Sequence, residues 1–362
     1  MESDIPQVAE VHRTVFRVPE NAAGGAGNEA LRRLSEAYRD YFTDVFLSGP
    51  WREEGIGPLV YEEGDGRIAG FLGVVARRMS LGGRSLRVAV CSQFVVHPRK
   101  RGMVGLRLMD EHFRGPQDLS FTDEANRASL RLWEARGGEA CPLYSLTWIR
   151  PLRPGRMALH ALRRRRGGGA LARACAPLGP VVDGVAARWL QRPNEGPGPR
   201  GSTEELSPEA LLERMAEAGT RHALHPCYER PSLQWALRRA RGAAGDLHAV
   251  AVRDPHGRTA GWFVYAVDEA KRGEVLQLVA RRGSVGDLFR HLLRHAGPRG
   301  VIALTGRSGP GLITELTDRG CLFRSGPMML LHAKRPEVLE PIHRGNALLT
   351  RLEGEWCLRF RP

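Results

Sequence analysis

The chain has 362 residues, 42% of them apolar and 26% charged, with 54 Lys plus Arg against 40 Asp plus Glu for a net charge of +14. That composition belongs to a folded globular chain long enough for two domains, and it excludes a fibrous or disordered one. No window approaches the roughly 18–20 apolar residues that span a bilayer, and the start carries Glu2, Asp4 and Glu10 in place of an apolar secretory core, so a cytoplasmic protein is expected.

The spacing of apolar residues predicts helices over Ile5 to Phe16 and Ala30 to Phe46. Leu59-Val60-Tyr61 runs into a turn at Gly64-Asp65-Gly66, and Ala69 to Ala76 returns as an apolar strand. A further strand, Val88 to Val96, stops at His97-Pro98, and a helix follows from about Met103 to Phe113. Leu119 to Thr122 reads as a short strand, then Asn126 to Arg136 as a helix closed by Gly137-Gly138.

Between Pro151 and Arg200 the character changes. Pro151, Pro154, Gly167 to Gly169, Pro177, Pro180, Pro193, Pro197 and Pro199 punctuate a segment with ten Arg against only Asp183 and Glu195. It reads as a linker with one or two short basic helices. All basic residues except Lys100, Lys271 and Lys334 are arginine, a bias that a GC-rich genome also produces, so the excess charge is weak evidence for a polyanionic partner. No aromatic residues interleave with the Arg163 to Arg166 run, so no specific nucleic acid is expected. An anionic membrane surface is the remaining partner the basic segment suggests. The six cysteines include no C-x-x-C pair and no histidine at zinc-finger spacing, so they are expected to be reduced and mostly buried, without metal or disulfide chemistry.

The C-terminal part repeats the N-terminal part. Gly66-Arg67-Ile68-Ala69-Gly70-Phe71 recurs as Gly257-Arg258-Thr259-Ala260-Gly261-Trp262, Arg101-Gly102 as Arg282-Gly283, and Arg136-Gly137 as Arg319-Gly320, in the same order. A duplicated domain follows, with boundaries at 1–152 and 201–362 around a 153–200 linker.

The stretch that carries chemistry runs from Gln93 to Met109: an apolar strand, a proline stop, a basic glycine-bearing loop and an amphipathic helix. Free backbone N–H groups at such a helix start suit a phosphate or pyrophosphate. Gly102 and Gly105 admit close approach, while Arg99, Lys100 and Arg101 add charge. The stretch resembles the acetyl-CoA-binding motif of the GCN5-related N-acetyltransferase (GNAT) superfamily, a strand followed by V-x-P-x-x-R-G-x-G-x-G. Asn126 to Gly137 resembles that family's second motif, N-x-x-(A/S)-x-x-L-Y-E-x-x-G. The resemblance covers residues 1–150 closely and 201–362 at the level of topology and repeat.

It implies an α/β fold of two tandem GNAT-like domains, as in bacterial tandem-GNAT proteins, each a mixed, mostly antiparallel sheet flanked by helices. It implies acetyl-CoA or another acyl-CoA as co-substrate, no metal, and a small-molecule or peptide amine as acceptor. Backbone groups of Phe94, Val95 and Val96 would hold the pantetheine arm. Arg101, Gly102, Met103, Val104, Gly105 and Leu106 would hold the pyrophosphate, with Asn126 and Ser129 contacting the arm from the last helix. Val104 stands where the family usually has Gly or Ala, and Trp133 where a Tyr commonly protonates the leaving sulfur. A protonated alkyl amine needs a base before it can attack a thioester. The strand Val88 to Val96 holds no carboxylate, so the catalytic candidates are His97, Asp123, Glu124 and, as acid, Tyr144. The second repeat lacks the proline and the Asn-x-x-Ser, and is expected to have no cofactor of its own. Two alternatives remain open: a FemABX-like aminoacyl-tRNA-dependent ligase, and a non-catalytic acyl-CoA-binding regulatory protein.

Overall fold

The structure, a computed structural model, describes residues 2–164, 168–190, 200–219 and 221–362. Arg165 and Arg166 of the arginine run, with Pro193, Glu195, Pro197 and Pro199 of the connector, lie outside the described residues. The first part of the chain comprises α1 (Ile5–Phe16), α2 (Gly27–Phe42), β1 (Leu59–Glu62), β2 (Ile68–Leu81), β3 (Arg84–Val96), α3 (Met103–Arg114), β4 (Leu119–Ala125), α4 (Arg127–Glu134), β5 (Glu139–Ala140), α5 (Pro142–Ser145) and β6 (Leu146–Pro151). Among its described residues the connector holds three helices where one or two are expected from composition: α6 (Pro154–Arg163), α7 (Gly168–Ala174) and α8 (Leu178–Leu190). Then come β7 (Ser202–Glu205), α9 (Pro208–Gly219), β8 (Leu224–Pro226), α10 (Arg230–Ala244), β9 (Asp246–Arg253), β10 (Thr259–Val267), β11 (Arg272–Ala280), α11 (Val285–Ala296), β12 (Ala303–Arg307), α12 (Ile313–Asp318), β13 (Leu322–Ser325), β14 (Met328–His332) and α13 (Glu340–His343).

The helices form where the apolar spacing places them. α1 buries Ile5, Val8, Val11 and His12, and α2 buries Ala30, Leu34, Tyr38, Tyr41 and Phe42. The β2–β3 hairpin is longer than its apolar runs, because it continues through Arg77, Arg78, Arg84 and Arg87 to a turn at Gly82 and Gly83. Arg77 tolerates burial there by laying its guanidinium over the Trp51 ring, 3.3 Å from the centroid.

Two seven-stranded sheets result. One has the order β1-β2-β3-β4-β14-β5, with β8 also on β2; the other runs β13-β6-β12-β11-β10-β9-β7. β3 and β4 pair in parallel, as do β11 and β12, and every other pairing between named strands is antiparallel. The two halves exchange their last strands. β6, from the first half, lies between β12 and β13, with Thr305 opposite Ile149. β14, from the second, lies between β4 and β5, with Leu331 opposite Phe121. The residues of 1–152 and 201–362 therefore do not form separate sheets. Nothing local could show this, since an apolar strand reads the same whichever sheet receives it.

The repeat is visible in turn geometry. Gly66 and Gly257 adopt φ of +81° and +77°, Gly102 and Gly283 +99° and +79°, and Gly137 and Gly320 +81° and +71°. One apolar core joins Val8, Leu34, Phe42 and Val75 of the first half to Trp235, Leu237, Trp262 and Val264 of the second.

Candidate active site

β3 and β4 are paired only over Val88↔Leu119, Ala89↔Ser120 and Val90↔Phe121. Beyond Val90 they splay, and a bulge drives them apart. The β2–β3 register shifts between Phe71↔Val95 and Gly73↔Ser92, and Gln93 takes φ +50°. Gly73 permits the bulge, because a Cβ there would lie 2.6 Å from the Phe46 ring and 2.7 Å from the Ser92 carbonyl. The bulge is also held from outside. His12 Nε2 contacts Gln93 Oε1 at 2.7 Å and His12 Nδ1 contacts the Tyr38 hydroxyl at 3.0 Å.

The splay opens a cavity of about 500 Å³. Ser92, Gln93 and Phe94 line one side, and Thr122, Asn126 and Ser129 the other. Its floor is supplied by the end of the chain. Glu355 Oε1 accepts hydrogen bonds from the backbone N–H of Asp123 at 3.2 Å and of Glu124 at 3.0 Å, and from the Thr122 hydroxyl. Burial first, and then the neighbouring Asp123 carboxylate, pushes the Glu355 carboxyl up to about 7.

Around this floor lies an ion network that spans the two halves. Glu124 faces Arg359 at 2.6 Å and both Arg307 and Arg351 at 3.6 Å, and Arg351 reaches Glu274 at 2.9 Å. Arg307 Nε stands 3.6 Å from Asp123, and Arg307 Nη1 donates to the Tyr144 carbonyl at 3.0 Å.

No protein-family model matches the chain, and no curated protein matches it. Solved structures do. A probable N-acyltransferase from Enterococcus faecalis V583 is 11% identical with a TM-score of 0.54, covering 92% of this chain and 70% of that one. A GCN5-related N-acetyltransferase from Kribbella flavida is 15% identical with a TM-score of 0.52 and the same coverage. Another from Anabaena variabilis ATCC 29413 is 14% identical with a TM-score of 0.55, covering 93% of this chain and 72% of that one. The chain has the GNAT fold.

Within that GNAT fold, the residues singled out by sequence divide into those that meet at the cleft and those that do not. Phe94, Glu124, Asn126 and Ser129 line it. Asn126 caps α4, its Oδ1 accepting from Ala128 N at 2.9 Å and Ser129 N at 3.0 Å. Trp133 lines the cavity from α4 and packs edge-on against Phe113. Val95 is buried and Val96 half-buried on the adjoining strand. Arg101 to Leu106 form the loop and first turn of α3, with Arg101, Gly102 and Met103 exposed. Val104 turns inward, and its methyl occupies the space that a side chain at Gly70 would need.

Three catalytic candidates lie elsewhere. Asp123 is fully buried, with Oδ1 accepting from Glu355 N at 2.7 Å. His97 accepts the Arg99 amide at 3.4 Å in the loop beyond β3. Tyr144 donates its hydroxyl to the Ala347 carbonyl at 3.0 Å, burial raises its pKa, and it lines the other half's cleft. That second cleft, of about 420 Å³, is lined by Arg281, Arg282, Gly283 and Arg307. Glu355 and Arg359 were missed by sequence reasoning. They sit more than two hundred residues after β4 in no recognisable pattern, and only the fold of the chain end brings them to the cleft.

Among the described residues no helix is long and apolar enough to cross a membrane. Cys91, Cys141, Cys321 and Cys357 are buried, and all six cysteines are free.

Proposed function

We propose that the chain transfers an acyl group, in the first instance acetyl, from acyl-CoA to the amine of a small molecule or peptide. The observation that carries this reading is the splayed β3–β4 cleft with the Glu355 carboxyl at its floor. The residues present suit the co-substrate. Ser92 Oγ is buried in the cleft wall without a hydrogen-bond partner among the described residues. The N–H groups of Met103, Val104 and Gly105, in the first turn of α3, have no acceptor inside the helix.

Acyl-CoA, when bound, supplies a thioester that an amine can attack with release of thiol. The chain's own residues do the rest. The amides of Gly102, Met103, Val104 and Gly105 bind the pyrophosphate, the Leu106 amide being already bonded to the Gly102 carbonyl, and Ser92 with the free edge of Phe94 to Val96 orients the arm, flanked by Asn126 and Ser129. Glu355 takes the proton that the attacking amine must lose. Its carboxyl, held near 7, is poised to accept a proton at neutral pH. Among the described residues no tyrosine lines this cleft; in this reading the departing sulfur is protonated from solvent.

The test is thiol release from acetyl-CoA across a panel of alkyl amines and N-terminal peptides. Amine-dependent release that Glu355→Gln lowers supports the reading, whereas binding without release from any amine contradicts it. The latter result fits the regulatory reading, which the buried Trp133 at the tyrosine position favours.

A further inference from the structure

On the far side of the second sheet, three donors from three different elements converge. Glu205 ends the edge strand β7, His248 lies on β9, and His295 is in the last turn of α11. The pairing explains the convergence. Glu205 sits opposite Val250, so His248, two residues along, projects from the same face of the sheet. His248 is in turn opposite Tyr265 of β10. α11 packs over that face, and its buried residues Leu288, His291 and Leu292 put His295 on the same stripe. One carboxylate oxygen of Glu205 and one ring nitrogen from each histidine all lie within 4.8 Å of one another. His295 Nε2 is 3.0 Å and His248 Nδ1 3.7 Å from Glu205 Oε1.

We propose that Glu205, His248 and His295 form a site for a borderline divalent cation of the Zn2+, Co2+ or Ni2+ kind. Two imidazoles and one carboxylate are the donor set such ions prefer over Ca2+ or Mg2+, which take oxygen ligands. The outer contacts also suit it. His295 uses its other nitrogen, Nδ1, in a 2.8 Å hydrogen bond with the Tyr265 hydroxyl, which fixes the ring and aims Nε2 at Glu205. The His295 side chain is only 10% exposed and His248 22%, while the Glu205 side chain is 54% exposed, so an ion reaches the cluster from the Glu205 side.

One group opposes the ion. Arg299 Nη2 stands 3.7 Å from Glu205 Oε1, while Arg299 Nη1 is tied to the His295 carbonyl at 2.8 Å. Cation binding displaces the first contact. Every residue of β7 is exposed, so a bound ion would pin this edge strand to β9 and α11. Sequence spacing holds no trace of the site, because the three donors are far apart in the chain and only the sheet register aligns them.

The experiment is titration of the purified full chain with Co2+, followed by its ligand-field absorption, and with Zn2+ by calorimetry in a buffer that does not chelate metals. The wild type is expected to take up one Co2+ at this site with a low-symmetry visible spectrum that Zn2+ abolishes. The double variant Glu205→Gln, His248→Ala is expected to lose at least about 10–100-fold in affinity, the loss seen when even an outer partner of a metal ligand is removed. Arg299→Ala is expected to bind more tightly, which a purely structural role for the cluster does not provide. Zn2+ should raise the melting temperature of the wild type and not of the double variant. No Co2+ absorption in the wild type, or an unchanged spectrum and affinity in the double variant, would overturn the proposal. Neither readout depends on acyl transfer.

Discussion

Glu355 and Asp123 hold each other across more than two hundred residues of chain: Asp123 Oδ1 accepts the Glu355 amide at 2.7 Å, and Glu355 Oε1 accepts the Asp123 amide at 3.2 Å. This brace fixes the chain end onto β4 where it parts from β3. It also leaves no room for error, since a Cβ at Gly354 would lie within 2.5 Å of the Asp123 carboxylate. The base of the proposed reaction is therefore placed by the second half of the chain, while the groups proposed to hold the co-substrate come from the first.

If Glu355 is that base, Glu355→Gln lowers kcat by about 10²–10⁴-fold while acetyl-CoA affinity, measured by calorimetry, stays near the wild-type value. The wild-type rate rises with pH through about 7 as the carboxyl ionises, and the variant loses that limb. The linkage has the opposite sign for stability. A carboxyl raised above its unfolded value favours the fold at pH below about 4.5, and that contribution is lost as pH rises through about 7. A pH series of melting temperatures on both proteins checks this.

Gly102 adopts φ +99° and ψ −90°, which L side chains rarely reach, yet a side chain there would meet nothing within 4 Å. Gly102→Val is thus expected to act through backbone strain of about 1–3 kcal/mol, twisting the first turn of α3. Acetyl-CoA affinity should fall by about 10–100-fold for a strain of that size. Gly283→Val, at φ +79° in the second half, should leave the affinity unchanged.

The Arg307 side chain is 2% exposed and faces Asp123 and Glu124 from β12, which makes it a tie between the halves. Arg307→Met leaves buried carboxylates without their cation, and unfolding free energy in a denaturant titration should drop by about 3–5 kcal/mol. An unchanged midpoint would show that Arg351 and Arg359 carry the charge balance alone.

His12 and His112 are acid-sensitive. Burial holds His12 down to about 4, against the hydrogen bond its ring donates to Gln93 Oε1, which raises it, and burial holds His112 down to about 3. A histidine lowered in the fold favours unfolding as pH falls below its unfolded value of about 6.5. Melting temperature should therefore fall between pH 6.5 and 4, and His12→Gln should flatten part of that slope. No change in slope would contradict the burial of this ring as the cause.

Much of this was legible in the residues. Gly66 and Gly257, and Gly102 and Gly283, announce the repeat because each pair needs the same left-handed turn. The cleft wall at Phe94, Asn126 and Ser129 follows from two local motifs. The exchange of β6 and β14 does not, since Leu146–Pro151 and Met328–His332 are apolar strands that either sheet could accept. Tyr144 read as a catalytic acid by position along the chain, but α5 turns it to the Ala347 carbonyl. Glu355 was invisible for the complementary reason: a buried carboxylate is recognisable only once its neighbours Thr122, Asp123 and Glu124 are known.

The central claim is that the β3–β4 cleft binds acyl-CoA, and calorimetric titration of the full chain with acetyl-CoA tests it most directly. The expected result is saturable binding at one site with a Kd of about 1–100 μM, lost when Ser129→Trp fills the cleft. Absence of any binding heat below about 1 mM, or equal affinity in the Ser129→Trp variant, would contradict it.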